Sequence, residues 1–162
     1  MKKETVENTL VDWFLDIERA VIIGIGNPLR RDDNVGVEIV KRLKGTNIKD
    51  NILIIEGKSV PENFIEPITE FNPSHILLID AALMGLKPGQ PRFIETLKIS
   101  DVAVSSHALP LQIFCSYLIQ VTGAKIGLLL IQPENADFGE GLSPKVESAA
   151  KRVVKALKHI LL

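Results

Sequence analysis

The chain has 162 residues, 46% of them apolar, which suits one domain with a sizeable core. Its 19 basic and 20 acidic residues leave a net charge of −1, and aromatics are only 5%, so neither a basic surface nor base-stacking platforms for nucleic acid are encoded. The single cysteine, Cys115, excludes an internal disulfide and cysteine-rich metal or cluster sites.

The chain opens with Lys2 and Lys3 but no apolar leader core, and no run approaches the ~18 apolar residues of a membrane span. A soluble, cytoplasmic protein is expected. Val6, Leu10, Trp13, Phe14 and Ile17 fall at helical spacing. Residues 20–25 read as a buried strand, 34–43 as a helix and 51–55 as a second strand. Residues 61–71 read as a helix that Pro67 kinks or splits. Residues 75–80 form a third strand, and 91–96 a less apolar strand nearer an edge. A helix over 110–121 and a buried strand over 126–131 follow. Ser143 suits an N-cap and Pro144 the first helical position. Apolar residues then recur at 146, 149, 150, 153, 154, 157, 160 and 161, a sustained helical stripe. No repeat or linker interrupts this order, so residues 1–162 are expected to form one domain. Near-continuous apolar strands alternating with helices predict an α/β three-layer sandwich, with a mostly parallel sheet and helices on both faces.

In such sheets ligands bind outside the carboxyl ends of the strands. Strand one runs into 24-GIGNPLRRDDNVG-36. Strand three ends in Asp80, His107 lies just ahead of a helix, and strand five ends in 132-QPEN-135. Asp32 or Asp33, Asp80 and His107 can therefore meet at one edge. Gly24 and Gly26 suggest a phosphate loop, but the third glycine of the dinucleotide fingerprint is replaced by Leu29, and two carboxylates precede the helix. Two Asp oxygens and one imidazole nitrogen instead suit a divalent ion of borderline or hard character. Singly, each residue has a plainer use: Asp32 as a helix cap, Asp80 as a turn cap, His107 as an ordinary residue ahead of a helix. Cys115, on the apolar stretch QIFCSYLI, reads as packing. His75 opens a strand, and His159 complements the dipole at the end of the last helix.

Five segments, GIGNPLRRDDNVG, 57-GKSVPEN-63, 79-IDAALMGLKPG-89, 106-SHALPL-111 and 130-LIQPEN-135, occur in an order and spacing that resemble the nickel–iron hydrogenase maturation endopeptidases. Their wording is similar to the hydrogenase 3, or formate-hydrogenlyase, subgroup. The resemblance covers about residues 20–160 and implies a twisted five-stranded sheet between helices, of the phosphorylase/hydrolase-like type. It implies a cytoplasmic peptidase that removes a C-terminal extension from a hydrogenase large-subunit precursor after nickel insertion. It implies metal contacts from Asp33, Asp80 and His107, with Asp33 and Asp80 also catalytic. It implies a peptide-binding role for Gly24, Gly26, Asn27, Glu56 and Ser59. The nickel belongs to the substrate, so no permanent cofactor is expected, and a monomer is. Either the metal polarises the scissile carbonyl or a water, or an aspartate acts as general base; an aspartic-type and a metal-assisted peptidase both remain open.

The chain departs from the family at three places. Asn34 stands where the family has glycine, a substitution that tolerates left-handed backbone. Glu56-Gly57-Lys58-Ser59 replaces Asp-Gly-Gly-Ser/Thr, which adds bulk and charge near the expected peptide groove. Residues 1–18 have no family counterpart and are expected to form an extra helix or a partner contact. The alternative function is a non-catalytic checkpoint module that binds the nickel-loaded precursor without cutting it. Further readings are a nucleotide-dependent enzyme and a hydrolase with another peptide substrate.

Overall fold

A computed structural model gives the arrangement of residues 4–95 and 110–162. Five strands pair into one sheet: β1 (Ala20–Ile25), β2 (Ile52–Lys58), β3 (His75–Ala81), β4 (Pro91–Glu95) and β5 (Lys125–Ile131). The order is β2-β1-β3-β5-β4, parallel throughout except for β4, which runs antiparallel to β5 on the outside. Parallel strands need crossovers, and α2 (Val35–Lys44), α3 (Ile65–Phe71) and α4 (Leu111–Thr122) lie on them. Two further helices flank the strands in the chain, α1 (Val6–Trp13) before β1 and α5 (Pro144–Leu161) after β5.

Strand side chains alternate between faces, and both faces are covered. Ala20, Ile22, Leu77, Ile79, Leu129 and Ile131 pack with α1, α2 and α5. Val21, Ile23, Ile25, Ile76, Leu78, Leu128 and Leu130 pack with α3 and α4. Two buried faces explain why these strands read as unbroken apolar runs. The expected three-layer sandwich is therefore observed.

Several boundaries moved for physical reasons. β2 extends past the apolar run to Lys58, because an outer strand needs burial on fewer sides and tolerates Glu56 and Lys58. A bulge at its end pairs Gly24 with Glu56 but Ile25 with Lys58, leaving Gly57 over. The expected helix 61–71 divides before Pro67: a 3-10 turn over Pro61–Phe64 gives way to α3. Pro67 then lies in the first turn of α3, where a missing N–H costs nothing. Asn34 has φ −90°, so no left-handed turn is required at that departure from the family. The amino-terminal segment does form a helix. Leu10, Trp13 and Phe14 are buried against the sheet and α5, and the Trp13 ring meets the rings of Phe14, His75 and Phe93 edge-on. No helix among the described residues is long and apolar enough to cross a membrane.

Candidate active site at the carboxyl edge of the sheet

The glycines of the first loop bring a helix start onto the strand ends. A methyl group at Gly24 would overlap the Gly36 carbonyl and sit 2.7 Å from its carbon. One at Gly36 would overlap the Ile79 carbonyl oxygen and lie 2.7 Å from that of Ile25. One at Gly26 would overlap the Asp33 carbonyl oxygen. Gly36 thus performs the close helix–strand packing that the dinucleotide fingerprint assigns to its third glycine, without a phosphate site. Every backbone N–H from 26 to 33 already has a protein acceptor: Lys58 O, Asp33 Oδ2, Asn27 Oδ1, Asn27 O, Gly139 O, Asn135 O and Arg30 O in turn, with Pro28 having none to give. A loop with its donors spent cannot cradle a pyrophosphate. This removes the nucleotide reading.

That packing sets Asp33 and Asp80 at the carboxyl ends of two neighbouring strands, β1 and β3. Both carboxylates are buried. Asp33 Oδ2 accepts the Asn27 N–H at 3.1 Å, and Asp80 Oδ1 accepts the Ala81 N–H at 2.8 Å. Backbone donors of this kind fix the direction of each side chain. His107, the third expected metal contact, lies outside the described residues. Among the described residues, no three of His, Cys, Asp and Glu cluster as metal ligands. The two aspartates supply hard oxygen donors and accord with a divalent ion once a nitrogen ligand joins them.

The expected peptide-binding residues divide into two groups. Asn27 orients Asp33 through its N–H, and its Oδ1 caps Leu29 at 2.9 Å. Ser59 Oγ donates to the Gly26 carbonyl at 3.4 Å, and the Gly26 N–H donates to Lys58 O at 2.9 Å, so the second loop is tied to the first. Gly24 and Gly26 act through close packing. Glu56 stands apart: it pairs with Lys44 at 3.2 Å along the outer strand. Lys58, in place of the family's glycine, adopts φ +52°.

Asp32 has a role that its residue type did not reveal. It does not cap α2. Wholly shielded from solvent, it accepts from the N–H of Glu134 and of Asn135 at 2.9 Å, and from the N–H of Ser143 at 2.7 Å and its hydroxyl at 2.8 Å. Ser143 does occupy the N-cap position of α5, but its hydroxyl turns to Asp32 and makes no capping bond. Gln132 works similarly, its Oε1 accepting from the N–H of Met84 at 2.7 Å and of Leu86 at 3.3 Å. The loops after β1, β3 and β5 are thereby locked around the edge where Asp33 and Asp80 lie. Only the position of 132-QPEN-135 at a strand end hinted at this in the sequence. His75 is remote from the site, at the amino end of β3, between Ser74 Oγ at 2.8 Å and Asp16 Oδ1 at 3.1 Å. Burial pushes the Cys115 thiol up to about 12, as suits a packing residue.

Comparison with known proteins agrees with this architecture. The family described as hydrogenase maturation protease matches residues 37–160. The hydrogenase 3 maturation protease of Escherichia coli K12 is 31% identical over 142 residues, 85% of this chain and 88% of that one. The crystal structure of the NiFe hydrogenase maturation protease HycI from Thermococcus kodakarensis superposes with a TM-score of 0.87 at 35% identity, over 94% of this chain and 98% of that one. The solution structure of endopeptidase HycI from Escherichia coli gives a TM-score of 0.75 at 29% identity, over 85% and 88%. A match over 94% of the chain includes part of residues 1–18.

Proposed function

This chain belongs to the hydrogenase maturation protease family, and from that premise we propose that it cuts the C-terminal extension from a large-subunit precursor only when nickel is in place, reading the substrate's metal through Asp33, Asp80 and His107. Processing of a hydrogenase precursor follows from the family. The nickel check is the finer step, and one observation carries it: two buried carboxylates, each held by a backbone N–H, at the ends of adjacent parallel strands.

The physical logic is a difference of affinities. A precursor carrying nickel offers a cation to two carboxylates and an imidazole, and an empty precursor offers none. Selectivity then comes from the difference in affinity between the two forms. Hydrolysis adds water across the scissile amide: oxygen bonds to the carbonyl carbon, the C–N bond breaks, and the amine leaves with a proton. An ionised aspartate at this edge is able to take the water's proton and return it to the leaving amine.

Intact mass of the precursor after incubation, nickel-loaded and nickel-free in parallel, tests the proposal. Loss of a C-terminal peptide is expected only from the loaded form, with Asp33→Ala and Asp80→Ala each slowing it by about 100-fold or more. Equal cutting of both forms would remove the nickel check. Nickel-dependent complex formation with no mass loss would favour the non-catalytic checkpoint.

A further inference from the structure

The connections leaving the carboxyl ends of β1, β2, β3 and β5 each expose a large apolar side chain: Leu29 at 59%, Val60 at 43%, Leu83 at 65% and Phe138 at 70%. One exposed leucine needs no explanation, but an apolar residue on every connection around one edge does. These side chains are displayed on braced backbone. The Leu29 N–H is capped by Asn27 Oδ1, and the Leu29 carbonyl accepts the N–H of Gly139, the residue after Phe138, at 2.9 Å. Arg31 donates back to Gly139 O at 3.1 Å, and the Arg30 guanidinium lies 4.5 Å from the centre of the Phe138 ring. The Leu83 loop is fastened through the Met84 N–H to Gln132. Leu29 and Phe138 therefore share one rigid platform, built from the same loop that carries Asp33.

We propose that this apolar rim, centred on Leu29 and Phe138, is the docking surface for the folded body of the hydrogenase precursor, taking an apolar patch that borders the cleavage point. The inference rests on the precursor-processing reading. The occupant follows from continuity with the site: a protein cut at Asp33 and Asp80 must lie across the loops that surround them. Braced loops lower the ordering cost of association, and an exposed aromatic with an arginine against its face matches the residue types enriched at interfaces. The two recognition devices are separable. The carboxylates read the metal, while the rim supplies affinity that does not depend on it.

The test measures KM and kcat for the nickel-loaded precursor with Leu29→Ser, Phe138→Ser and the double variant. Leu15→Ser serves as control; Leu15 is 75% exposed but lies on the connection into the amino end of β1. The double variant is expected to raise KM about tenfold or more with kcat largely kept, and to weaken binding of the nickel-free precursor in the same proportion. Leu15→Ser should change neither. Exposed serines should leave the denaturation midpoint in place, which separates docking from folding. An unaltered KM in the double variant, with the parent protein active, would overturn the docking surface alone. No cleavage by the parent protein would remove the processing reading and this inference with it.

Discussion

Asp32 and Ser143, 111 residues apart in the chain, are joined twice: the Ser143 N–H reaches Asp32 Oδ1 at 2.7 Å and the Ser143 hydroxyl reaches Asp32 Oδ2 at 2.8 Å. The pair fastens the start of α5 to the turn that carries Asp33. Ser143→Ala should cost about 1.5–2 kcal/mol, the loss of one hydrogen bond to a charged acceptor. Ser143→Asp separates this account from simple capping. Aspartate is as good an N-cap as serine, so a capping role would leave stability unchanged. Against Asp32, a second carboxylate should destabilise by more than the alanine does. Urea denaturation of the three proteins decides it.

Gly36→Ala and Gly24→Ala test the close approach of α2 to the strand ends. Each methyl group would meet a backbone carbonyl, not a flexible side chain. A loss of about 3 kcal/mol or more is expected from each, beyond the usual range for overpacking. Gly45→Ala, whose nearest neighbour would be 3.7 Å away, should be tolerated.

Lys58→Gly restores the residue type expected of the family at a position with φ +52°. Relief of left-handed strain is worth about 1–2 kcal/mol, offset in part by the freer unfolded chain. A net gain of about 0.5–1 kcal/mol in the unfolding free energy is expected. An outright loss would mean that Lys58 makes a compensating contact.

The elements were legible because burial on both faces leaves unbroken apolar runs such as HILLID and IGLLLI, and because α5 keeps its stripe for its whole length. Strand ends pointed to Asp80 and to Asp32 or Asp33, and the choice of Asp33 came from the resemblance. The role of Asp32 was not legible, since its donors come from Glu134, Asn135 and Ser143, and no local pattern encodes contacts across so much chain. Gly36 was hidden for a related reason: its constraint is the Ile79 carbonyl on another strand. The metal-contact role of His107 came from the resemblance, and that residue lies outside the described structure.

Glu147 links α5 to α2 through both nitrogens of the Arg42 fork, at 2.8 Å each. The hydrogen bonds from Arg42 hold its carboxyl below the ordinary value of 4.5. A depressed folded-state value means that the contribution is present above pH 4.5 and fades as pH falls through the lowered value. The pair is partly solvated, so its worth is under about 1 kcal/mol. Glu147→Gln should therefore lower the melting temperature at pH 7, by an amount that shrinks as the pH is taken progressively below 4.5.

Cys115 should resist thiol reagents. With its thiol pushed up to about 12 by burial in the α4 core, reaction with a disulfide probe at pH 8 should await unfolding and follow the unfolding rate. Labelling within seconds in native conditions would show that α4 opens readily.

The most direct measurement is the affinity of nickel-loaded and nickel-free precursor for this protein and for its Asp33→Ala and Asp80→Ala variants, by titration calorimetry under conditions that prevent turnover. If the two carboxylates read the metal, the loaded form binds the parent protein more tightly by about tenfold or more, and the ratio falls towards one in both variants. A ratio that survives the loss of both carboxylates would place nickel recognition elsewhere and contradict the account.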